Sequence, residues 1–444
     1  MRLSFRIVST LALALLAPQR APAHEPGVIL TMRERARVID RWTEQRLDRI
    51  VPALMRTHAI DTWIIIGREY DEDPVLETML PATWLSARRR TILVLHDPGP
   101  NAQLERLAVA RYSVGDSFEA AWDPESQPDQ WARLAEIIEQ RDPAVIALNT
   151  SSDFAHADGL SHTQHTELLA VLPQRFHDRI VSAEPLAVGW LERRLPEETE
   201  VYASICRLAH EIMGEALSER VIQPGVTTTH DVEWWLRERV RELRLTAWFH
   251  PSVSLQRPER TGDFLDYFTA GDDVIHRGDL VHLDFGITYL RLNTDTQQMA
   301  YVLRPGETEP PAGLRDAFRV GNRLQDILTS HFVAGRTGNQ VLRAALDQAE
   351  AEGINAMIYT HPIGYHGHGA GPAIGMWDKQ EGVPGTGDYP VHDGTAYSIE
   401  LNAEVPVLEW NFQPVRIMLE EDALFENGSV RYLDGRQTEL LIVR

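Results

Sequence analysis

Residues 281–303, VHLDFGITYLRLNTDTQQMAYVL, set Asp284 and Asp295 eleven residues apart inside otherwise apolar, alternating segments. Val281, Leu283, Phe285 and Ile287 fall on one face of an extended strand, and His282 and Asp284 fall on the other. Residues 289–293 can turn the chain, and residues 294–303 read as the returning strand. Such a hairpin brings the two carboxylates together. Burying like charges side by side is costly unless a cation sits between them. The stretch is therefore either a metal site or a surface hairpin with solvated aspartates.

The rest of the chain is large enough to support a built site. Its 444 residues suit two domains, and a hydrophobic content of 43% supplies substantial cores. A net charge of −22 repels phosphates, which argues against nucleic acid and anionic membranes as partners. Cys206 is the single cysteine, so no intrachain disulfide can form. It sits with Val201, Ile205 and Leu208 at helical spacing, which predicts a buried inert thiol rather than a nucleophile. At the N-terminus, Arg2 and Arg6 precede an apolar run over residues 7–17, and Ala21-Pro22-Ala23 follows. That is the pattern of a cleaved signal peptide over residues 1–23, and it predicts an exported protein; a buried first helix is the alternative. The run is too short to span a bilayer, so no membrane association is expected after its removal.

Along the chain, residues 32–56 have an amphipathic helical pattern. Residues 61–67, 91–96 and 144–149 are short apolar runs of strand type, and a helical stretch over 131–140 precedes the last of them. Strands alternating with helices predict a smaller α/β domain over residues 24–192, and no glycine-rich phosphate loop follows any of the strands. Residues 151–165, SSDFAHADGLSHTQH, read as a turn and helix start, with a lip over a neighbouring site as a functional use. A second domain spans 193–444. Helices are expected at 197–217, after a cap at Thr229 or Asp231, at 313–329 and at 338–352; a strand is expected at 248–255. From residue 358 onward the pattern is strand and turn.

Three later stretches answer the demand set by the two aspartates. In THPIGYHGHGAGP (360–372), His366 and His368 lie two apart and can share one side of an extended segment. In YSIELNAEV (397–405), Glu400 sits mid-strand on the polar face. In VRIMLEEDALF (415–425), Glu420 interrupts a nearly continuous apolar strand. Acids at such positions need a strong partner. Two Asp, two Glu and one His form an oxygen-rich set that suits Mn²⁺ first, with Co²⁺, Zn²⁺ or Fe²⁺ as competitors. Four carboxylates roughly balance two divalent ions.

The order of these motifs resembles the pita-bread metallopeptidases, the family of methionine aminopeptidase, aminopeptidase P and prolidase with the creatinase-like fold. The resemblance covers residues 190–444 and implies an α+β pita-bread C-terminal domain behind the smaller α/β domain. It implies a metal set of Asp284, Asp295, His368, Glu400 and Glu420, with Asp295 and Glu420 bridging two ions. His366 is the alternative ligand, because Tyr365 is inserted after HPIG. Glu400 or Glu420 would take up a proton, and His361 or His366 would donate to an oxyanion. The family's second histidine, seven residues after the ligand, would fall on Gly375, and its upstream histidine on His250. Trp377, Tyr389 and Trp410 are candidates for a proline-sized pocket or for core packing. The implied activity is metal-dependent hydrolysis of Xaa-Pro peptides by a homodimer. The rival readings are a peptide- or protein-binding member of the fold and a metal-free amidinohydrolase of the creatinase type.

Overall fold

The computed structural model describes residues 29–258 and 271–444. The signal-peptide reading over residues 1–23 lies outside them. Among the described residues no helix is long and apolar enough to cross a membrane.

The first domain opens with the helix Met32–Thr57, capped by Thr31 and Glu34 in a reciprocal capping box. Six strands form one mixed sheet in the order Glu119–Ala120, Glu105–Val109, Arg90–His96, Thr62–Arg68, Ile146–Leu148, Ile180–Ser182. The central strands are apolar without alternation because both of their faces are covered. Trp63, Ile65, Leu93 and Leu95 pack on the helices Met32–Thr57 and Glu184–Glu192. Ile64, Ile66, Ile92 and Val94 pack on Gln130–Arg141 and His162–Val171.

The second domain is built on a nine-stranded sheet. Its main path runs Asn355–Ile358, Thr395–Val407, Gln413–Glu426, Thr296–Val302, Leu280–Phe285, Ser252–Gln256. Val281, Leu283 and Phe285 pack against the helices Pro196–Ala216 and Thr229–Glu242. Ile399, Leu401, Ile417 and Leu419 pack against Ala312–Ser330 and Gly338–Ala351. The cap of Thr229–Glu242 is Thr228, one residue before the expected position, and Asp231 returns its bond to the Thr228 N–H. The expected strand at 248–255 runs over Ser252–Gln256, and Trp248 before it donates its indole N–H to the Thr294 carbonyl. Cys206 is buried, as expected.

A buried polar seam joins the domains. Arg46 of the first helix pairs with Glu198 of the second domain at 2.8 Å, both side chains fully buried. Glu198 also accepts from the Tyr365 hydroxyl at 3.0 Å, and the Arg46 and Arg194 guanidinium groups stack on the Tyr365 ring. Tyr365 directly precedes His366, so the seam anchors the histidine-bearing loop.

Candidate metal centre

Strand register assembles the site. Asp284 lies opposite Gln297, Gln297 opposite Glu420, and Glu420 opposite Glu400, so one row crosses four adjacent strands. Asp295 enters from the residue just before Thr296–Val302. It follows a tight turn at Leu290 and Arg291, both at positive φ, which closes the two-stranded ribbon Thr288–Tyr289 and Leu292–Asn293. His361 comes from the short strand His361–Pro362, paired to Tyr397 and Ser398.

These residues meet in three overlapping groups, each with ligand atoms within 4.8 Å of one another: Asp284, Asp295 and Glu420; His361, Glu400 and Glu420; and Asp295, His361 and His368. All five residues expected as ligands are therefore brought together, and His361 joins them.

The electrostatics are those of a negatively charged nest. Burial first, then neighbouring carboxylates, pushes Asp284, Asp295 and Glu400 well above the ordinary carboxylate range. Among the described residues no Arg or Lys pairs with these acids; the one basic group within 4.0 Å of Asp295, Glu400 and Glu420 is the His361 imidazole. Asp284 Oδ1 and Asp295 Oδ1 are buried with no hydrogen-bond partner. Such a donor set, rich in hard oxygens and short of cations, fits divalent metal ions.

The histidines divide by geometry. His361 Nδ1 is 3.0 Å from the Pro362 carbonyl, which fixes the proton on Nδ1. In the neutral form, His361 Nε2 directs its lone pair toward Asp295 and Glu420, 3.6 Å from each, and is buried without a hydrogen bond. A lone pair facing carboxylate oxygens repels them unless a cation lies between. His368 is exposed at the mouth of the site, edge-on to His361 with ring centroids 4.7 Å apart. Partial burial of its ring, then His361, lowers it to about 4, so its imidazole is neutral. His366 points away, against His156 of the first domain at 4.4 Å between centroids. His156 belongs to the polar 151–165 stretch, which thus borders the cleft. His250 sits beside Glu233 and Arg237 on the helix Thr229–Glu242 instead of in the centre.

A cleft of about 470 Å³ opens beside His368, lined also by Trp248, Arg291, Asn293, His366 and, from the first domain, Thr78. Trp248 and Tyr365 are the aromatic residues of its wall besides the histidines. Trp410 is buried in the second domain's core, Tyr389 packs on Phe154, and Trp377 is exposed.

Three supporting residues carried no signal in the sequence pattern. Gln297 donates to Glu400 Oε1 at 2.5 Å and to Glu420 Oε2 at 2.9 Å. Ser398 donates to Glu420 Oε1 at 2.6 Å. Asp422 accepts from the Asp295 N–H at 3.3 Å and from the Cys206 thiol at 3.4 Å.

A strand row of acids met by a histidine, inside a sheet flanked by two helix pairs, is the pita-bread fold with the groups of a metal centre. The chain belongs to metallopeptidase family M24, whose model matches residues 201–432. It is 23% identical over 253 residues to the uncharacterized peptidase YqhT of Bacillus subtilis, covering 56% of this chain and 63% of that relative's length. The fold is shared with the X-Pro aminopeptidase of Thermotoga maritima, at a TM-score of 0.62 and 18% identity over 88% of this chain and all of that one. It is likewise shared with the Xaa-Pro dipeptidase of Bacillus anthracis, at a TM-score of 0.54 and 16% identity, covering 92% of this chain and 99% of the other.

Proposed function

We propose that this protein is an exported peptidase that uses two divalent ions, Mn²⁺ first among them, to cleave at the amino end of short Xaa-Pro peptides. The observation that carries the reading is the cation-poor cluster of four buried or half-buried carboxylates faced by His361 Nε2, a buried nitrogen without a hydrogen bond. The ligands in this reading are Asp284, Asp295, His361, Glu400 and Glu420. That shifts the ligand histidine from His368 to His361, with a consequence for spacing. His368 then stands seven residues after the ligand, the position of the family's second histidine.

Two divalent ions held there would supply the positive charge that makes a water acidic and polarises a scissile carbonyl. Glu400 is the proton acceptor in this scheme. Its side chain keeps 14% exposure toward the cleft against 2% for Glu420, and Glu420 has both oxygens engaged by Ser398 and Gln297. Neutral His368, at the mouth, has an N–H to offer the oxygen on which charge develops. Trp248 supplies an apolar wall for a proline ring, and His366 a contact further along the peptide. The preference for proline draws on the names of the structural neighbours. Export draws on the basic, apolar and small-residue pattern of residues 1–23, and a homodimer on family analogy.

The test is hydrolysis of Xaa-Pro dipeptides and Xaa-Pro-Yaa tripeptides by purified protein with Mn²⁺, with a chelated control. Turnover that the chelator abolishes is expected. Tight peptide binding without turnover under Mn²⁺, Co²⁺, Zn²⁺ or Fe²⁺ would replace this reading with a binding role.

A further inference from the structure

Gln297 stands between Asp284 and Glu420 in the strand register and is fully buried. Its Nε2 donates to Glu400 Oε1 and Glu420 Oε2, at 2.5 and 2.9 Å. Its Oε1 lies 2.8 Å from His282 Nε2, and His282 Nδ1 lies 3.3 Å from Ser254 Oγ. His282 and Ser254 are themselves buried and directly opposite each other on neighbouring strands.

The proton positions follow from donor and acceptor capacity. As metal ligands Glu400 and Glu420 would be ionised and would only accept, so the amide must turn its NH₂ toward them. The amide oxygen can then only accept, which places a hydrogen on His282 Nε2. A neutral imidazole protonated there has a bare Nδ1, and the Ser254 hydroxyl is its donor. A flipped amide would set a carbonyl oxygen against two carboxylates, whichever tautomer His282 adopted. Each link therefore enforces the next.

We infer that Ser254, His282 and Gln297 form a positioning relay that holds Glu400 and Glu420 in the geometry the metal pair requires. The inference rests on the metal-centre reading above. Gln297 is a positioning residue, since it acts through the two glutamates. A neutral amide suits this place for a physical reason. An Arg or Lys would also satisfy the carboxylate oxygens, but its charge would compete with the ions for them. The amide orders the acids and leaves their full negative charge to the metals.

The experiment compares Mn²⁺ binding by calorimetry in the wild type, Gln297→Met, His282→Phe and the double variant, with folding checked by circular dichroism. Gln297→Met keeps the volume and removes the amide; His282→Phe keeps the ring and removes its N–H. Each single change is expected to weaken Mn²⁺ binding by about 10- to 100-fold. The double variant is expected to be no weaker than Gln297→Met alone, because the histidine acts only through the amide. Ser254→Ala, a milder change at the far end, should weaken binding by a smaller factor and serves if the others fail to fold. Wild-type affinity in the folded variants, or losses that simply multiply in the double variant, would overturn the relay while leaving the metal centre intact. Failure of the wild type itself to bind any divalent ion would instead bring down the metal-centre reading, and the relay with it.

Discussion

Glu400 and Glu420 face each other in register across two antiparallel strands, bridged by the amide of Gln297. Directly opposed like charges destabilise a sheet, so this pair costs stability in the metal-free protein. With Glu400 raised above the ordinary range, the folded state holds more protons than the unfolded one. Stability must then fall as pH rises from the ordinary carboxylate pKa toward the raised one. Thermal melts in chelator between pH 5 and 8 should show that fall, and added Mn²⁺ should reverse it. Glu420→Gln should raise the chelated melting temperature and abolish the Mn²⁺ effect. Glu400→Gln should lower kcat by about 10²- to 10⁴-fold, as for loss of a proton acceptor.

The two histidines 4.7 Å apart are expected to separate in kinetics and metal content. His361→Ala removes the only imidazole whose unpartnered nitrogen faces Asp295, Glu400 and Glu420 among the described residues. It should lose bound metal, measured by elemental analysis after dialysis, together with turnover. His368→Ala should keep its metal while kcat falls. Metal loss in His368→Ala with retention in His361→Ala would restore His368 as the ligand.

His210 lies between Glu421 and Asp434, 2.9 and 3.1 Å away. Burial alone would lower it, but the two carboxylates outweigh burial and raise it to about 10. A cation whose folded pKa is raised adds stability that is complete below about 6.5 and is lost as pH climbs through about 10. Urea unfolding at pH 6, 8 and 9.5 should show the wild-type advantage over His210→Gln shrinking steadily. At pH 6 that advantage is on the order of a few kcal/mol. An advantage independent of pH would mean that the three groups pair without net charge.

Much of this architecture is written locally. The alternation around Asp284 and around Glu400 marks strands with an acid among apolar neighbours, and that acid lies in the site in both. The acids could be named because an ionisable group mid-strand is costly to bury without a strong partner. The row itself was not legible, since the pairing of Glu420 with Gln297 depends on a return of more than a hundred residues. Gln297 also escaped notice because an amide in an apolar strand reads as incidental until its neighbours are known. For the histidines, the glycines around His368 drew attention to one end of the loop, although His361 at its other end reaches the same acids. What favours His361 is its pairing with Ser398 and its bond to the Pro362 carbonyl, both contacts made only in the fold. The apolar runs near residues 64, 93 and 147 were visible as strands, but the sheet order that buries both of their faces was not.

Where metal binds decides the peptidase reading. Crystals grown with Mn²⁺ and measured at the manganese absorption edge should show two anomalous peaks enclosed by Asp284, Asp295, His361, Glu400 and Glu420. A metal-soaked crystal with no anomalous density among those residues would contradict the two-ion centre.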